Sequence, residues 1–232
     1  MKYAVYLQVE RDTQARFDQI KEALNSGVKE NQAEHLGKVI SEIACQVIDQ
    51  VFTDLIRAQS GQSSTDQKVR DESIKVIETI QDAVRKYLPW SVSFFGNDRL
   101  KPVVNHLAQL KIERNDAIYI RYMVDGTLIQ EALGCAEQVK EQQPNSTLRA
   151  FKSLIKIIDQ GVTVMIREPK NMLKFNFVVD KTLNGVINMT THLGYKRLEK
   201  LGTQIDYATA NEYVDHFMGF LYDEAVRETE LV

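Results

Sequence analysis

The sequence predicts an all-α fold, an antiparallel bundle of about six to seven helices with one extended aromatic connection at residues 88–98. Three observations carry this. Apolar residues recur at steps of three and four along most of the chain, the period of an amphipathic helix. Only 11 glycines and 4 prolines occur in 232 residues, which leaves few turns and calls for long helices. A hydrophobic content of 44% is enough to give each helix an apolar face. A chain of this length buries about 70% of the surface its unfolded form exposes. One domain over 1–232 is therefore expected, or two closely packed lobes at 1–88 and 99–232, with residues 1–11 as an arm of undetermined conformation.

Tyr3, Val5, Leu7 and Val9 alternate as a strand does, but a lone strand in a helical protein has no partner. Phe17, Ile20 and Leu24 predict a helix from about residue 12 to Leu24. From Asn31 to about Arg57, Leu36, Val39, Ile40, Ile43, Val47 and Val51 form the clearest apolar face in the chain. The polar run 59–64 ends that helix, and Thr65 or Asp66 caps the next, which carries Val69, Val76, Ile80 and Val84. Pro89 disfavours the α region at Leu88, so this helix is expected to stop near Tyr87. The stretch YLPWSVSFFGND then reads as extended, with Trp90, Val92 and Phe94 on one side.

Pro102 suits the first turn of a short helix ending near Lys111, and Asp116 reads as the cap of a helix through Tyr119, Tyr122, Ile129 and Ala136. Ser146 opens a helix whose seam, Leu148, Phe151, Ile155, Ile158, Val162 and Met165, is heptad-like. A long helix is expected from Lys170 to Leu201, stopped by Gly202. Asp206, or Thr209 with Glu212, opens the last one, whose core side runs from Ala210 to Ala225 before an acidic tail.

Composition excludes several functions. The chain has 29 basic and 32 acidic residues, well mixed, which argues against a nucleic-acid binder and a polybasic membrane reader. No apolar window is long enough for a membrane span, and the short N-terminal apolar run does not make a signal peptide, so a cytoplasmic location is expected. Cys45 and Cys135 have no Cys or His partner nearby and read as buried thiols.

Chemistry-bearing motifs are sparse. None of the four histidines stands in the Glu-x-x-His spacing of a carboxylate-bridged metal bundle, so neither metal nor cofactor is expected. No nucleophile elbow or phosphate-cradling glycine loop occurs. On the long sixth helix, Asn176, Asp180, Asn184, Asn188 and His192 form a row at four-residue steps that creeps about 40° per step. Asn176 falls within the apolar arc and Asp180 at its edge. The row reads as a solvated face with one buried hydrogen bond, or as a polar seam lining a pocket or interface. His192-Leu193-Gly194-Tyr195-Lys196 places glycine before lysine and does not reproduce the order of helical phosphotransfer modules.

The candidate site residues are therefore Trp90, Phe94 and Phe95 on the aromatic connection, Tyr119 and Tyr122, and Asn176, Asp180 and Asn184. Three functions follow. The first is a non-enzymatic bundle acting through protein–protein interaction, including with itself as a homodimer. The second is a ligand-binding or sensory bundle with a pocket between helices. The third is an enzyme without a recognisable motif.

Overall fold

The structure, a computed structural model, describes residues 2–53, 56 and 64–224. The connection expected at 59–63 and the tail from Ala225 onward lie outside these residues, and so do the side chains of the caps expected at Thr65 and Asp66.

The fold is mostly helical, but the all-α expectation is corrected by a four-stranded antiparallel sheet of order β2-β3-β1-β4. Strand β1 (Tyr3–Val9) is the N-terminal segment, and its alternation is real because its partners come from far away in the chain. It pairs with β3 (Ala117–Val124), from Tyr3 opposite Val124 to Val9 opposite Ile118. On its other edge it pairs with β4 (Leu221–Asp223), Val5 lying opposite Leu221.

β2 (Lys111–Arg114) and β3 form a hairpin. Its two turn residues, Asn115 and Asp116, both take positive φ, 48° and 58°. This is the left-handed pair that matches strand twist and that Asn and Asp tolerate. Asp116 is thus a turn residue and not a helix cap, and Tyr119 and Tyr122 belong to a strand. The helix α5 (Gly126–Lys140) begins later, where Asp125 Oδ1 accepts from Thr127 N at 2.7 Å.

Helix α1 (Arg11–Ser26) and helix α2 (Ala33–Ile48) appear where the periodicity places them. A π-helical turn, Asp49–Thr53, continues α2. Helix α3 (Ser64–Val92) does not stop at Tyr87 but runs through Pro89, so the extended connection at 88–98 shrinks to a few residues before α4 (Asn97–Gln109). A mid-helix proline forfeits one backbone hydrogen bond. Tertiary packing offsets that loss: α3 lies so close on α2 that a Cβ on Gly37 would sit 2.6 Å from Pro89 Cα.

Helix α6 (Ser146–Val162) passes through a second π-helical turn, Thr163–Arg167, into the short α7 (Glu168–Leu173); of its expected seam only Phe151 is fully buried, and the buried face lies one residue back at Ala150, Leu154 and Ile157. The expected helix from Lys170 to Leu201 is in fact two pieces. Lys174 takes φ 48°, and α8 (Phe177–Gln204) starts afresh behind Asn176. Gly202 does not stop α8; a Cβ there would lie 3.0 Å from Leu148 Cα, so glycine permits the close approach of α6. Helix α9 (Tyr207–Met218) is capped by Asp206, whose Oδ1 accepts from Thr209 N at 2.7 Å. It ends at Met218, so that the chain can turn into β4.

Two apolar clusters result. One lies between the sheet and α5, α6, α8 and α9, with Ile129, Phe151 and Ala210 fully buried. The other joins α1, α2 and α4 through Phe17, Leu36 and Leu100. Among the described residues, no helix is long and apolar enough to cross a membrane.

Candidate functional site

Between the two clusters the helices do not close. A cavity of about 320 Å³ lies among α2, α3, α6, α8 and one face of the sheet. Its walls follow from helical spacing: Ile40, Ile43 and Val47 on α2, Ile80, Val84 and Leu88 on α3, and Leu183 and Ile187 on α8 each mark one face of their helix. The sheet contributes every second residue. Val5 and Tyr122 are cross-strand partners, as are Leu7 and Ile120, and all four line the cavity. Many wall residues, Ile43, Val84 and Ile187 among them, are only half-buried although they point toward other helices. The empty space is what leaves them accessible.

Both π-helical turns border this space, through Val51 and Phe52 on one and Met165 and Ile166 on the other. Such turns shift the side chains that follow by a fraction of a helical turn and recur at functional sites. On α6 the wall includes Gly161, where an added Cβ would meet the Tyr122 ring at 2.8 Å. Glycine here lets the hydroxyl end of the ring come close to the helix. Tyr122 Oη donates to the Ile157 carbonyl at 3.3 Å, and burial raises its pKa well above the ordinary phenol value, so it stays neutral.

The polar groups at the wall are largely held by the protein itself. Tyr195 Oη donates to Asp159 Oδ1 at 2.8 Å, and Arg167 Nη2 donates to the same oxygen at 2.8 Å. The Arg167 hydrogen bond holds the Asp159 carboxyl below its usual range, while desolvation and Asp159 raise the pKa of Tyr195. Lys170 Nζ donates to Asp180 Oδ1 at 2.5 Å, and Lys111 Nζ to Asp18 Oδ2 at 2.7 Å. Among the described residues Lys111 and Lys170 are the charged side chains that line the cavity, and each is balanced by a carboxylate.

The residues singled out in the sequence divide sharply. Tyr122 lines the cavity, whereas Tyr119, three residues along the strand, lies on the opposite face of the sheet, edge-on to Tyr6 with ring centroids 5.9 Å apart. Asp180 and Asn184 come together at Lys170, with Asn184 Nδ2 donating to Asp180 Oδ2 at 2.8 Å. Asn176 is exposed and caps α8, its Oδ1 accepting from Val179 N at 3.0 Å. The buried hydrogen bond expected of it is replaced by this cap, because the helix begins one residue later.

Trp90 is half-buried in the last turn of α3, edge-on to both Tyr87 (6.0 Å) and Phe94 (5.0 Å). Tyr87 lines the cavity, while Phe94 is exposed. Phe95 packs on Phe175, another wall residue, at 4.9 Å. The wall residues Ile43, Val84 and Lys170 were not among the candidates, because in sequence they carry the same apolar or ion-pairing signature as ordinary core and surface positions.

Among the described residues no group of three or more His, Cys, Asp or Glu is placed to hold a metal ion. Cys45 and Cys135 are buried, and burial raises the pKa of the Cys45 thiol. Comparison with family models, with curated proteins and with solved structures returned no significant match.

Proposed function

We propose that this protein binds a hydrophobic small molecule, a hydrocarbon chain with at most one neutral polar end, in the cavity between α2, α3, α6 and α8. The observation that carries this reading is the cavity itself, about 320 Å³ with walls of Ile, Val, Leu and Phe and its two lysines already neutralised. An apolar space of about 150 Å³ holds a benzene, so this one has room for on the order of a dozen carbon atoms or more. Apolar walls that face a space and not a neighbour forfeit burial and dispersion contacts. Filling it with an apolar ligand recovers part of that loss.

The balanced charges favour a neutral ligand over a fatty-acid carboxylate, which would have to displace Asp180 or Asp18. The half-buried Tyr87 has no hydrogen bond to the described residues and offers its hydroxyl to a single polar end such as an alcohol. Of the three functions open at the level of sequence, this reading takes the interhelical pocket, with the cavity as its support.

The test is displacement of a neutral fluorescent probe, N-phenyl-1-naphthylamine, by long-chain alcohols, alkanes and fatty acids, with the wild type compared with Val84→Phe. Saturable binding, displaced better by alcohols than by acids and abolished by Val84→Phe in a protein that still melts cooperatively, is the expected result. Absence of displaceable binding in the wild type would sink the reading.

A further inference from the structure

The end of the molecule where α3 meets α4 and α7 meets α8 carries an apolar tip. Phe177 is 80% exposed, Val178 71%, Phe94 50% and Met172 37%. Two contacts tie the loops together: the Phe95–Phe175 ring pair, and Arg99, whose Nη2 donates to the Leu173 and Lys174 carbonyls. Isolated exposed apolar residues are ordinary, but here four lie on the two segments that these contacts join, Phe177 and Val178 side by side in the chain.

Charge distinguishes what covers it. Residues 86–101 and 168–181 hold six basic side chains (Lys86, Arg99, Lys101, Lys170, Lys174, Lys181) against three acidic ones (Asp98, Glu168, Asp180). That is a local net charge of +3 on a chain whose total is -3. The even mixing of charge over the whole sequence conceals this. Lys86, Lys101, Lys174 and Lys181 have no ion pair among the described residues. Exposed apolar side chains on segments that also carry lysines outside any ion pair match the interface of an anionic bilayer, where the rings enter the headgroup boundary and the ammonium groups meet phosphates.

The cavity reaches this same end, since Leu88, Val92, Leu173 and Phe175 line it. We propose that the Phe94/Phe177/Val178 tip docks the protein on an anionic phospholipid surface, where a hydrocarbon chain passes between bilayer and cavity. This rests on the cavity reading for what is exchanged, but the docking is tested without reference to it.

The experiment is flotation of the full chain with vesicles of phosphatidylcholine alone and of phosphatidylcholine mixed with phosphatidylserine. Roughly tenfold or stronger partition onto the anionic vesicles, weakening as salt is raised, is expected. The pair Phe177→Ser and Val178→Ser should abolish flotation on both compositions, and Lys174→Glu with Lys181→Glu should erase the anionic preference. All four positions are exposed, so the variants should keep the melting profile and the probe binding of the wild type. Flotation that is absent, or equal on the two compositions, overturns the proposal. It is equally overturned if Phe177→Ser dissolves a dimer seen by light scattering while leaving flotation intact. A wild type that floats but binds no probe would refute the cavity reading and leave the docking standing.

Discussion

Tyr195 on α8 and Asp159 on α6 meet at the cavity wall, the phenol donating to Oδ1 at 2.8 Å, and Arg167 from the π-helical turn donates to the same oxygen. The contact ties two wall helices together beside a space that neither fills. Tyr195→Phe removes the hydrogen bond without changing the shape of the ring. Its expected cost is about 1.5 to 3 kcal/mol, the range for a hydrogen bond to a charged acceptor, read as a shift in the urea midpoint at unchanged m value.

The same carboxylate sets an acid dependence. Asp159 has a folded pKa below its unfolded value, first through its hydrogen bond with Arg167 and further through Tyr195. Its stabilising contribution is therefore full above the unfolded value of about 3.9 and is lost as pH falls through the depressed folded value. Asp159→Asn is expected to lower stability at neutral pH and to flatten the loss between about pH 5 and pH 2. Parallel acid limbs in wild type and variant, measured by urea unfolding across that range, would contradict this.

Gly37 and Pro89 decide how closely α2 and α3 cross. A methyl group on Gly37 would lie 2.6 Å from Pro89 Cα and 2.9 Å from Val92 Cγ2, and one of these is backbone that cannot swing aside. Gly37→Ala gains helix propensity but must part the two helices. The net expectation is a destabilisation of about 1 to 3 kcal/mol, the usual cost of overpacking, visible as a lowered thermal midpoint. An unchanged or raised midpoint would show that the crossing is looser than it stands here.

Asn97 holds the loop before α2 against the start of α4. Its Nδ2 donates to the Val28 and Glu30 carbonyls, each at 2.8 Å, and its Oδ1 accepts from Gln32 N at 2.9 Å. Asn97→Ala is expected to cost about 2 kcal/mol and to speed amide exchange in residues 28–32 ahead of the rest of the fold. Uniform exchange throughout would argue that the loop is held by other means.

Ligand binding gives a prediction independent of any substitution. A chain alcohol present at about a hundred times its dissociation constant should add about 2.7 kcal/mol to unfolding. The increment should vanish in Val84→Phe, which fills the site from the α3 side.

Much of the helical layer was legible in the sequence because its information is local. The apolar stripe from Leu36 to Val51, the existence of α6 and the cap at Asp206 each depend on residues within a few turns of one another. The sheet was not legible, because the strands that pair with β1 lie more than a hundred residues away. The Asn115-Asp116 turn was a weak signal beside the helical spacing that Tyr119, Tyr122 and Ile129 also satisfy.

The candidate residues fared similarly. Tyr122, Asp180 and Asn184 lie at or beside the cavity wall, whereas Tyr119 and Asn176 are turned away from it by a strand and a cap that periodicity alone did not reveal.

By itself, then, the sequence determined that this chain is mostly helical, which helix faces are apolar, and that the familiar catalytic motifs are missing. Only the tertiary structure decided that the N-terminal segment is a central strand, that α3 passes through Pro89, and that four apolar helix faces stop short of one another. The physical reason is that periodicity marks a face for burial but does not say what buries it. A wall awaiting a ligand and a wall packed on a neighbour have the same residues, and only the spacing of the helices, set by approaches such as Gly37 on Pro89 and Gly161 on Tyr122, tells them apart.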